Sequence, residues 1–190
     1  MEIILASGSP RRLELLKEAG LEPVVVKPCC EEKILPGLKP HEIVESLATQ
    51  KGESVINSGN YSEIPVIAAD TVVALGNEFI GKPKDRADAE RILAELSGKT
   101  HQVYTGAAIF YKGKTSVFSV KTDVEFKTLS KREIDAYCDT DEPYDKAGAY
   151  AIQGKASFMV KRINGSYSNV VGLPLCEVIE QLQKLGVLEK

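Results

Sequence analysis

The sequence has few residues of the kinds that build zinc sites and disulfides. Its 190 residues include two histidines and four cysteines, and no pair of the cysteines has CxxC spacing. Zinc clusters need several such ligands at close spacing, and adjacent cysteines such as Cys29 and Cys30 have poor geometry for an ordinary disulfide. We therefore expect no zinc cluster, and free thiols in the reducing environment of the cytoplasm.

The sequence also lacks an excess of positive charge and a long apolar run. Its formal net charge is -3, which gives no electrostatic reason to bind a nucleic-acid polymer or an anionic membrane. No apolar run approaches the roughly 20 residues that span a bilayer, and the amino-terminal residues do not follow the pattern of a signal peptide. We expect neither partner, so any anion that the protein binds must meet a local cluster of positive charge.

What the sequence does contain is a regular alternation of apolar and amphipathic segments. We predict strands at residues 3–6, 23–27, 66–75, 79–80, 103–111, 115–126 and 157–163, with turns at Gly76-Asn77, Lys112-Gly113-Lys114 and Asn164-Gly165. We predict a helix opened by Ser9-Pro10 and ended by Gly20, and helices at residues 41–56, 85–96, 130–137 and 174–185. This order indicates an α/β fold with a mixed twisted sheet flanked by helices. We expect a single domain over residues 1–190, with two lobes around one cleft.

Residues 7–12, with the sequence SGSPRR, join the first predicted strand to the first predicted helix. Small residues at such a junction leave backbone N–H groups pointing outward, which is typical of an anion site. Arg11 and Arg12 lie in the first helical turn, where the helix dipole disfavours cations. A bound polyphosphate would reverse that cost, because a guanidinium grips phosphate oxygens in pairs. Two solvated surface arginines are the alternative.

Asp70 lies inside a strongly apolar predicted strand, together with Thr71. A carboxylate in such surroundings must meet a cation, a metal or a hydrogen-bond network, or face a cleft at a strand end. An acid carried on a strand suits holding Mg²⁺ or activating water. A structural carboxylate paired with an arginine is the alternative, and we favour the functional role.

Two lysines and one pair of acids are further candidates. Lys51 falls on the apolar stripe of its predicted helix, and Lys82 follows the partner strand of Asp70 in the segment IGKP. The alternatives are a lysine that extends harmlessly to the surface and an ordinary loop lysine. Glu31 and Glu32 follow the second predicted strand and could add a metal-binding carboxylate, although paired acids in a loop are more often only solvated.

The loop at residues 142–154 carries groups that could read a base. The amide of Gln153 offers both a donor and an acceptor, which suits the edge of a base. Tyr144 and Tyr150 fit packing and base stacking equally well.

Together these segments resemble the Maf family of nucleotide pyrophosphatases, over nearly the whole chain. The matching motifs are LASGSPRR at 5–12, ADTVV at 69–73, GKP at 81–83, EPYDKAGAYAIQG at 142–154 and NVVGLP at 169–174. The resemblance implies hydrolysis between the α and β phosphates of a nucleoside triphosphate with a divalent metal cation, Mg²⁺ or else Mn²⁺ or Co²⁺. It also implies an elongated, ITPase-like α/β protein that is commonly a homodimer, and the family name is associated with inhibition of septum formation.

The resemblance also assigns roles to individual residues. It makes Asp70 the general base or metal-organising acid, and it makes Glu32 a tentative metal ligand. It implies phosphate and active-site contacts for Ser7, Ser9, Arg12, Lys51 and Lys82. The sequence departs from the family pattern at Cys29-Cys30, where acidic or aliphatic residues are more frequent, and at Gly52, where alanine is usual.

Three positions separate the branches of the family, and here they are Arg11, Thr71 and Gln153. This set resembles the branch that acts on dTTP and UTP, whereas the 7-methyl-GTP branch carries tryptophan, glutamine and glutamate. Tryptophan can cover a cationic methylated purine, while arginine and a neutral amide suit the imide edge of uracil or thymine. The alternatives are a 7-methyl-GTP-type pyrophosphatase and a nucleotide-binding regulator of cell division with little catalysis.

Overall fold

The computed structural model describes residues 2–59, 61, 63–76 and 78–189. Within these residues the strands are β1 Ile4–Ala6, β2 Val24–Val25, β3 Val66–Leu75, β4 Glu78–Ile80, β5 Thr100–Tyr111, β6 Lys114–Phe126 and β7 Val160–Asn164. The α-helices are α1 Pro10–Glu18, α2 Pro40–Ser58, α3 Arg86–Leu96, α4 Lys131–Cys138, α5 Tyr167–Val171 and α6 Leu175–Lys184. Short 3-10 helices cover Glu142–Asp145, Ala147–Ala149 and Lys155–Met159.

The described strands form one mixed sheet in the order β2-β1-β3-β5-β6-β7, with β4 paired to β3. Strand β1 runs parallel to both β2 and β3, so that Ile4 lies opposite Val24 and Val66. Strands β4 and β7 run antiparallel to β3 and β6 respectively. The predicted α/β fold with a mixed sheet and flanking helices is therefore confirmed.

The chain divides into two compact units. The first contains residues Met1–Asp70, Thr105–Val120 and Gly172–Lys190, and the second contains Thr71–Tyr104 and Lys121–Val171. The single domain with a cleft, the elongated shape and the ITPase-like arrangement stay predictions. Among the described residues, no helix combines the length and the apolar composition needed to cross a bilayer.

In the first unit, α2 packs against the sheet through its predicted apolar stripe. The fully buried residues of this core come from α2, β1, β3 and β5 and include Ile4, Ala48, Val55, Val66 and Ala108. A Cβ at Gly52 would lie 2.1 Å from the Phe110 ring, so this position has room only for glycine. The departure from the alanine that is usual in the family therefore follows from packing against Phe110.

In the second unit, three aromatic rings pack edge to face in the interior. His101 lies 4.8 Å from Phe126 and 5.4 Å from Tyr150 between ring centroids, and the latter two rings are 4.8 Å apart. Burial lowers the pKa of His101 to about 4. This histidine is therefore neutral in the folded protein near pH 7.

Several helix ends follow the predicted local rules. Ser9 precedes α1 with Pro10 at the first helical position, although the Ser9 side chain makes no capping hydrogen bond. Asp85 caps α3 by accepting a hydrogen bond from Asp88 N at 2.9 Å, and Ser130 with Glu133 forms the capping box of α4. These agreements are expected because caps depend on residues close in sequence.

Other predictions of local structure are wrong. The strand predicted at 157–163 begins at Val160, because Lys155–Met159 forms a 3-10 helix. The predicted second strand shrinks to Val24–Val25, and the short helix α5 was not predicted. The hairpin turn uses Lys112 (φ 49°) and Gly113 (φ 72°), a two-residue turn that leaves Lys114 in β6. The turn predicted at Gly76-Asn77 includes Asn77, which lies outside the described residues.

Candidate active site

The segment after β1 holds an arginine in a fixed position. Ser7 is only 3% exposed, and its Oγ accepts hydrogen bonds from Ser9 N and from Arg12 Nη1, each at 3.1 Å. Arg12 Nε also donates to the carbonyl oxygen of Gly172 at 2.7 Å. Because two of its nitrogens are fixed by the protein, Arg12 is not a freely solvated surface arginine.

Three charged groups, Asp70, Arg11 and Glu32, affect the pKa of Arg12. Burial lowers the pKa of Arg12, the Asp70 carboxylate opposes that change, Arg11 lowers the pKa further and Glu32 raises it. An arginine keeps its charge in proteins, so the site presents a lasting positive group close to two acids. Among the described residues, the buried Arg11 Nε has no hydrogen-bond partner. Such a donor is unusual in a native protein.

Strand β3 brings Asp70 against a lysine from α2. Asp70 is 8% exposed, and its Oδ1 accepts a hydrogen bond from Lys51 Nζ. The same ammonium lies 3.1 Å from Glu32 Oε1. Lys51 therefore pairs with Asp70 and does not extend away to the surface, and the charge of Asp70 also acts on Arg12.

The carboxylates of Asp70 and Glu32 are the donors that the implied divalent cation would use. Among the described residues, no group of three or more His, Cys, Asp or Glu side chains is placed to hold a metal ion. Both acids nevertheless reach one point, the Lys51 ammonium. Mg²⁺ prefers oxygen ligands and is commonly held by one or two carboxylates together with substrate phosphates and water. This donor set fits such a cation.

Three further candidates, Thr71, Lys82 and Gln153, lie in the second unit. Thr71 directly follows Asp70 on β3 and is partly exposed, Lys82 is exposed after β4, and Gln153 is exposed in the loop before the last 3-10 helix. The structure therefore gathers Ser7, Arg12, Lys51, Asp70 and Glu32 within the first unit. The active-site roles of Thr71, Lys82 and Gln153 stay predictions.

Within the second unit, Gly148 joins the loop at 142–154 to the segment that carries Lys82. Its N–H donates to the carbonyl oxygen of Gly81 at 3.0 Å. Gly148 has a φ of 71°, and a Cβ there would lie 2.8 Å from Val73 Cγ2. Both the backbone conformation and the close approach require glycine, so this loop has a fixed position beside β3.

The two loop tyrosines each have a hydrogen-bond partner in the protein. Tyr150 is 6% exposed and shares a hydrogen bond of 2.8 Å with His101 Nε2, while Tyr144 OH donates to Cys138 O at 2.6 Å. These contacts support packing for the buried Tyr150, whereas Tyr144 is only partly buried, so base stacking by its ring stays a prediction.

Two contacts near the candidate residues, to the Gly172 carbonyl and to Glu142, were not predicted from the sequence. The Gly172 carbonyl lies in the NVVGLP segment, but a backbone oxygen gives no signal in the type of its residue. Glu142 opens the loop motif and was not singled out, although an acid that begins a glycine-containing loop is a visible signal.

Comparisons with known proteins found one matching family and several similar relatives. A model of the family described as "Maf-like protein" matches residues 2–185. A protein of Geotalea uraniireducens (strain Rf4) named dTTP/UTP pyrophosphatase is 51% identical over 191 residues, covering 98% of this chain and 96% of that protein. A protein of the same name from Geobacter sulfurreducens is 48% identical over 188 residues, covering 98% and 97%. Another from Bacillus anthracis is 47% identical over 186 residues, covering 98% and 96%.

A solved structure is also similar. The chain matches the structure of the Staphylococcus aureus Ham1 protein with a TM-score of 0.47 and 20% sequence identity. The match covers 66% of this chain and 72% of that chain.

Proposed function

Since the chain belongs to the Maf family, we propose that it is a pyrophosphatase that hydrolyses dTTP and UTP to the monophosphate and pyrophosphate. Relatives named dTTP/UTP pyrophosphatase share about half of its residues over nearly the full length, at 51% and 47% identity. The observation that carries the proposal is the Asp70 carboxylate, which lies nearly buried against Lys51 and under the influence of Arg12.

The groups of the first unit suit a triphosphate. The Arg12 guanidinium, fixed by Ser7 and Gly172, and the Lys51 ammonium neutralise negative charge on the phosphates. This charge grows as the bond between the α and β phosphates breaks, so fixed cations stabilise the transition state more than the ground state.

Asp70 performs the proton transfer in this proposal. Its carboxylate orients a water molecule and accepts a proton from it, while the water oxygen forms a bond to the α phosphorus. The bond from that phosphorus to the bridging oxygen breaks, and pyrophosphate leaves with the electron pair. Lys51 fixes the direction of the carboxylate through its contact with Oδ1.

The oxygens of Asp70 and Glu32 would hold the divalent cation, Mg²⁺ or else Mn²⁺ or Co²⁺. When bound, such a cation polarises phosphate oxygens and lowers the pKa of a coordinated water. Glu32 is the weaker of the two candidates, since its side chain is 50% exposed against 11% for Asp70.

Base selection rests on Arg11, Thr71 and Gln153. The imide edge of uracil and thymine presents acceptor oxygens and one N–H donor, and the Gln153 amide offers the complementary acceptor and donor. A cytoplasmic homodimer and an influence on septum formation remain further proposals, which rest on the family resemblance.

A panel of nucleoside triphosphates with Mg²⁺ tests the proposed function directly. We expect the wild-type protein to release pyrophosphate from UTP and dTTP at higher kcat/KM than from CTP, GTP and 7-methyl-GTP. Orthophosphate as the first product would contradict the bond assignment, and no product from any nucleotide would favour the nucleotide-binding regulator.

A further inference from the structure

The segment that follows Gln153 donates backbone hydrogen bonds to one acid, Glu142. Its carboxylate accepts hydrogen bonds from Lys155 N at 2.9 Å and from Ala156 N at 3.2 Å. It accepts a third hydrogen bond from Tyr137 OH at 2.9 Å. Two consecutive backbone amides, two and three residues beyond Gln153, therefore have their positions set by a side chain more than ten residues earlier.

Gly154 makes this contact possible. A Cβ at Gly154 would lie 2.3 Å from Glu142 Oε2 and 2.5 Å from Cδ, distances at which no side chain fits. The carboxylate thus lies directly against the backbone of the residue next to Gln153. Any other residue at position 154 would displace either the acid or the loop.

The contacts of Glu142 within the loop favour the ionised form of its carboxyl group. Burial acts to raise the pKa of the Glu142 carboxyl, but hydrogen bonds from Lys155, Tyr137 and Ala156 and the charge of Lys146 lower it overall. Lys146 Nζ also donates to the Glu142 carbonyl oxygen at 3.0 Å. The acid is therefore fixed at its backbone as well as at its side chain.

The residues before Gln153 are fixed by a different contact. Tyr150 is buried and shares its hydrogen bond with the fully buried His101, and Ile152 is 9% exposed. Gln153 itself is exposed. The exposed side chain of Gln153 thus extends from a backbone that is fixed on both sides, and such a support favours recognition of a ligand by hydrogen bonds.

We propose that Glu142 is a positioning residue for base selection, which holds the backbone of Gly154 and Lys155 so that the Gln153 amide meets the imide edge of a pyrimidine nucleotide. This inference rests on the proposed function. It assigns Glu142 no contact with the substrate and no part in breaking the phosphate bond.

Glu142→Gln tests the proposal, because an amide of equal size places an N–H group opposite donors. Asp141→Asn is the matched control, since the neighbouring acid is exposed and its side chain makes no capping hydrogen bond. We expect Glu142→Gln to lower the preference for UTP over CTP, as a ratio of kcat/KM, about tenfold. The change should come from KM for UTP, with kcat within about threefold, since the proposed phosphate and water contacts belong to other residues.

Hydrogen exchange measured by mass spectrometry gives a second result that does not depend on activity. We expect the peptide covering residues 153–159 to exchange faster in Glu142→Gln than in the wild type and in Asp141→Asn. Gly154→Ala attacks the same contact from the loop side without a change of charge, and it should give the same two effects.

Each of these measurements has a result that would overturn the proposed role of Glu142. An unchanged preference for UTP in a folded variant, or unchanged exchange at 153–159, would overturn the proposal. A loss of folding in both variants would also overturn it, because the contact would then be structural only. Wild-type protein that hydrolyses nothing would instead reject the proposed function, whereas active wild type with an unaffected variant rejects only the role of Glu142.

Discussion

The proposed phosphate-binding cluster (Ser7, Arg12, Lys51 and Asp70) and the proposed base-selecting loop (residues 142–156) hold their candidate groups in opposite ways. In the cluster, functional side chains bond to one another, as when Lys51 contacts Asp70 and Arg12 bonds to Ser7. In the loop, the candidate side chain of Gln153 is exposed, and Glu142 holds the neighbouring backbone instead. Groups that must share charge are thus coupled directly, whereas a group that must read a ligand is left open on a fixed support.

The largest expected effect comes from breaking the cluster at its acid. Asp70→Asn keeps the shape but removes the proposed proton acceptor and one of the two carboxylates beside Lys51. We expect kcat for UTP to fall about 10²–10⁴-fold, with weak nucleotide binding retained. Pyrophosphate release and equilibrium binding are the measurements, with Asp141→Asn as the control. Near-normal turnover by Asp70→Asn would reject its role as base.

His101 on β5, which contacts Tyr150 of the loop, should make the stability of the protein depend on pH. Burial lowers the pKa of His101 from 6.5 to about 4 in the folded protein, so between these values the unfolded chain binds a proton that the folded protein does not. The contribution of His101 to the free energy of unfolding is therefore fully present above about pH 6.5. It is lost as the pH falls toward 4, by about 3 kcal/mol in all.

Urea unfolding between pH 7 and 4.5 measures that loss. A His101→Phe variant keeps a ring between Phe126 and Tyr150 but has no group to protonate, so its free energy of unfolding should fall less steeply with acid. Equal slopes for the two proteins would show that the buried histidine does not control this dependence.

A smaller effect is expected from replacing the guanidinium of Arg12, whose planar, forked arrangement of nitrogens donates to two separate acceptors. Arg12→Lys keeps the charge but cannot reproduce the separate bonds from Nε to Gly172 O and from Nη1 to Ser7 Oγ. We expect kcat/KM for UTP to fall about 10–30-fold, as measured by initial rates. The exposed Arg132→Lys is the control, and equal rates for both variants would show that the fork has no special part.

The smallest effect should come from Gly52→Ala, beside Lys51 on α2. The new methyl group would meet the Phe110 ring, so we expect a loss of about 1 kcal/mol in the free energy of unfolding. Urea titration measures it, and Phe110→Leu should make the same substitution harmless by giving it room. A full loss in the double variant would contradict the packing account.

The sequence predicted best what depends on neighbours in the chain. The bounds of β3 match the apolar run around Asp70, and the caps of α3 and α4 follow short-range rules. The apolar stripe of α2 also placed Lys51 on the face that meets β3. Periodicity and capping carry this information because they involve residues only a few positions apart.

Contacts between distant residues could not be predicted. Residues 157–159 were predicted as the start of a strand, but Glu142 accepts hydrogen bonds from Lys155 N and Ala156 N, which supports a 3-10 helix at Lys155–Met159 instead. The partner of Arg12 Nε is a carbonyl 160 residues away, and no side-chain pattern signals it. Tertiary structure here overrides local preference.

Hydrolysis of UTP in water enriched with ¹⁸O, followed by mass spectrometry of both products, tests the central claim most directly. Attack on the α phosphorus by a water that Asp70 orients places the heavy oxygen in UMP and leaves pyrophosphate unlabelled. Label in pyrophosphate, or in orthophosphate released beside UDP, would contradict it.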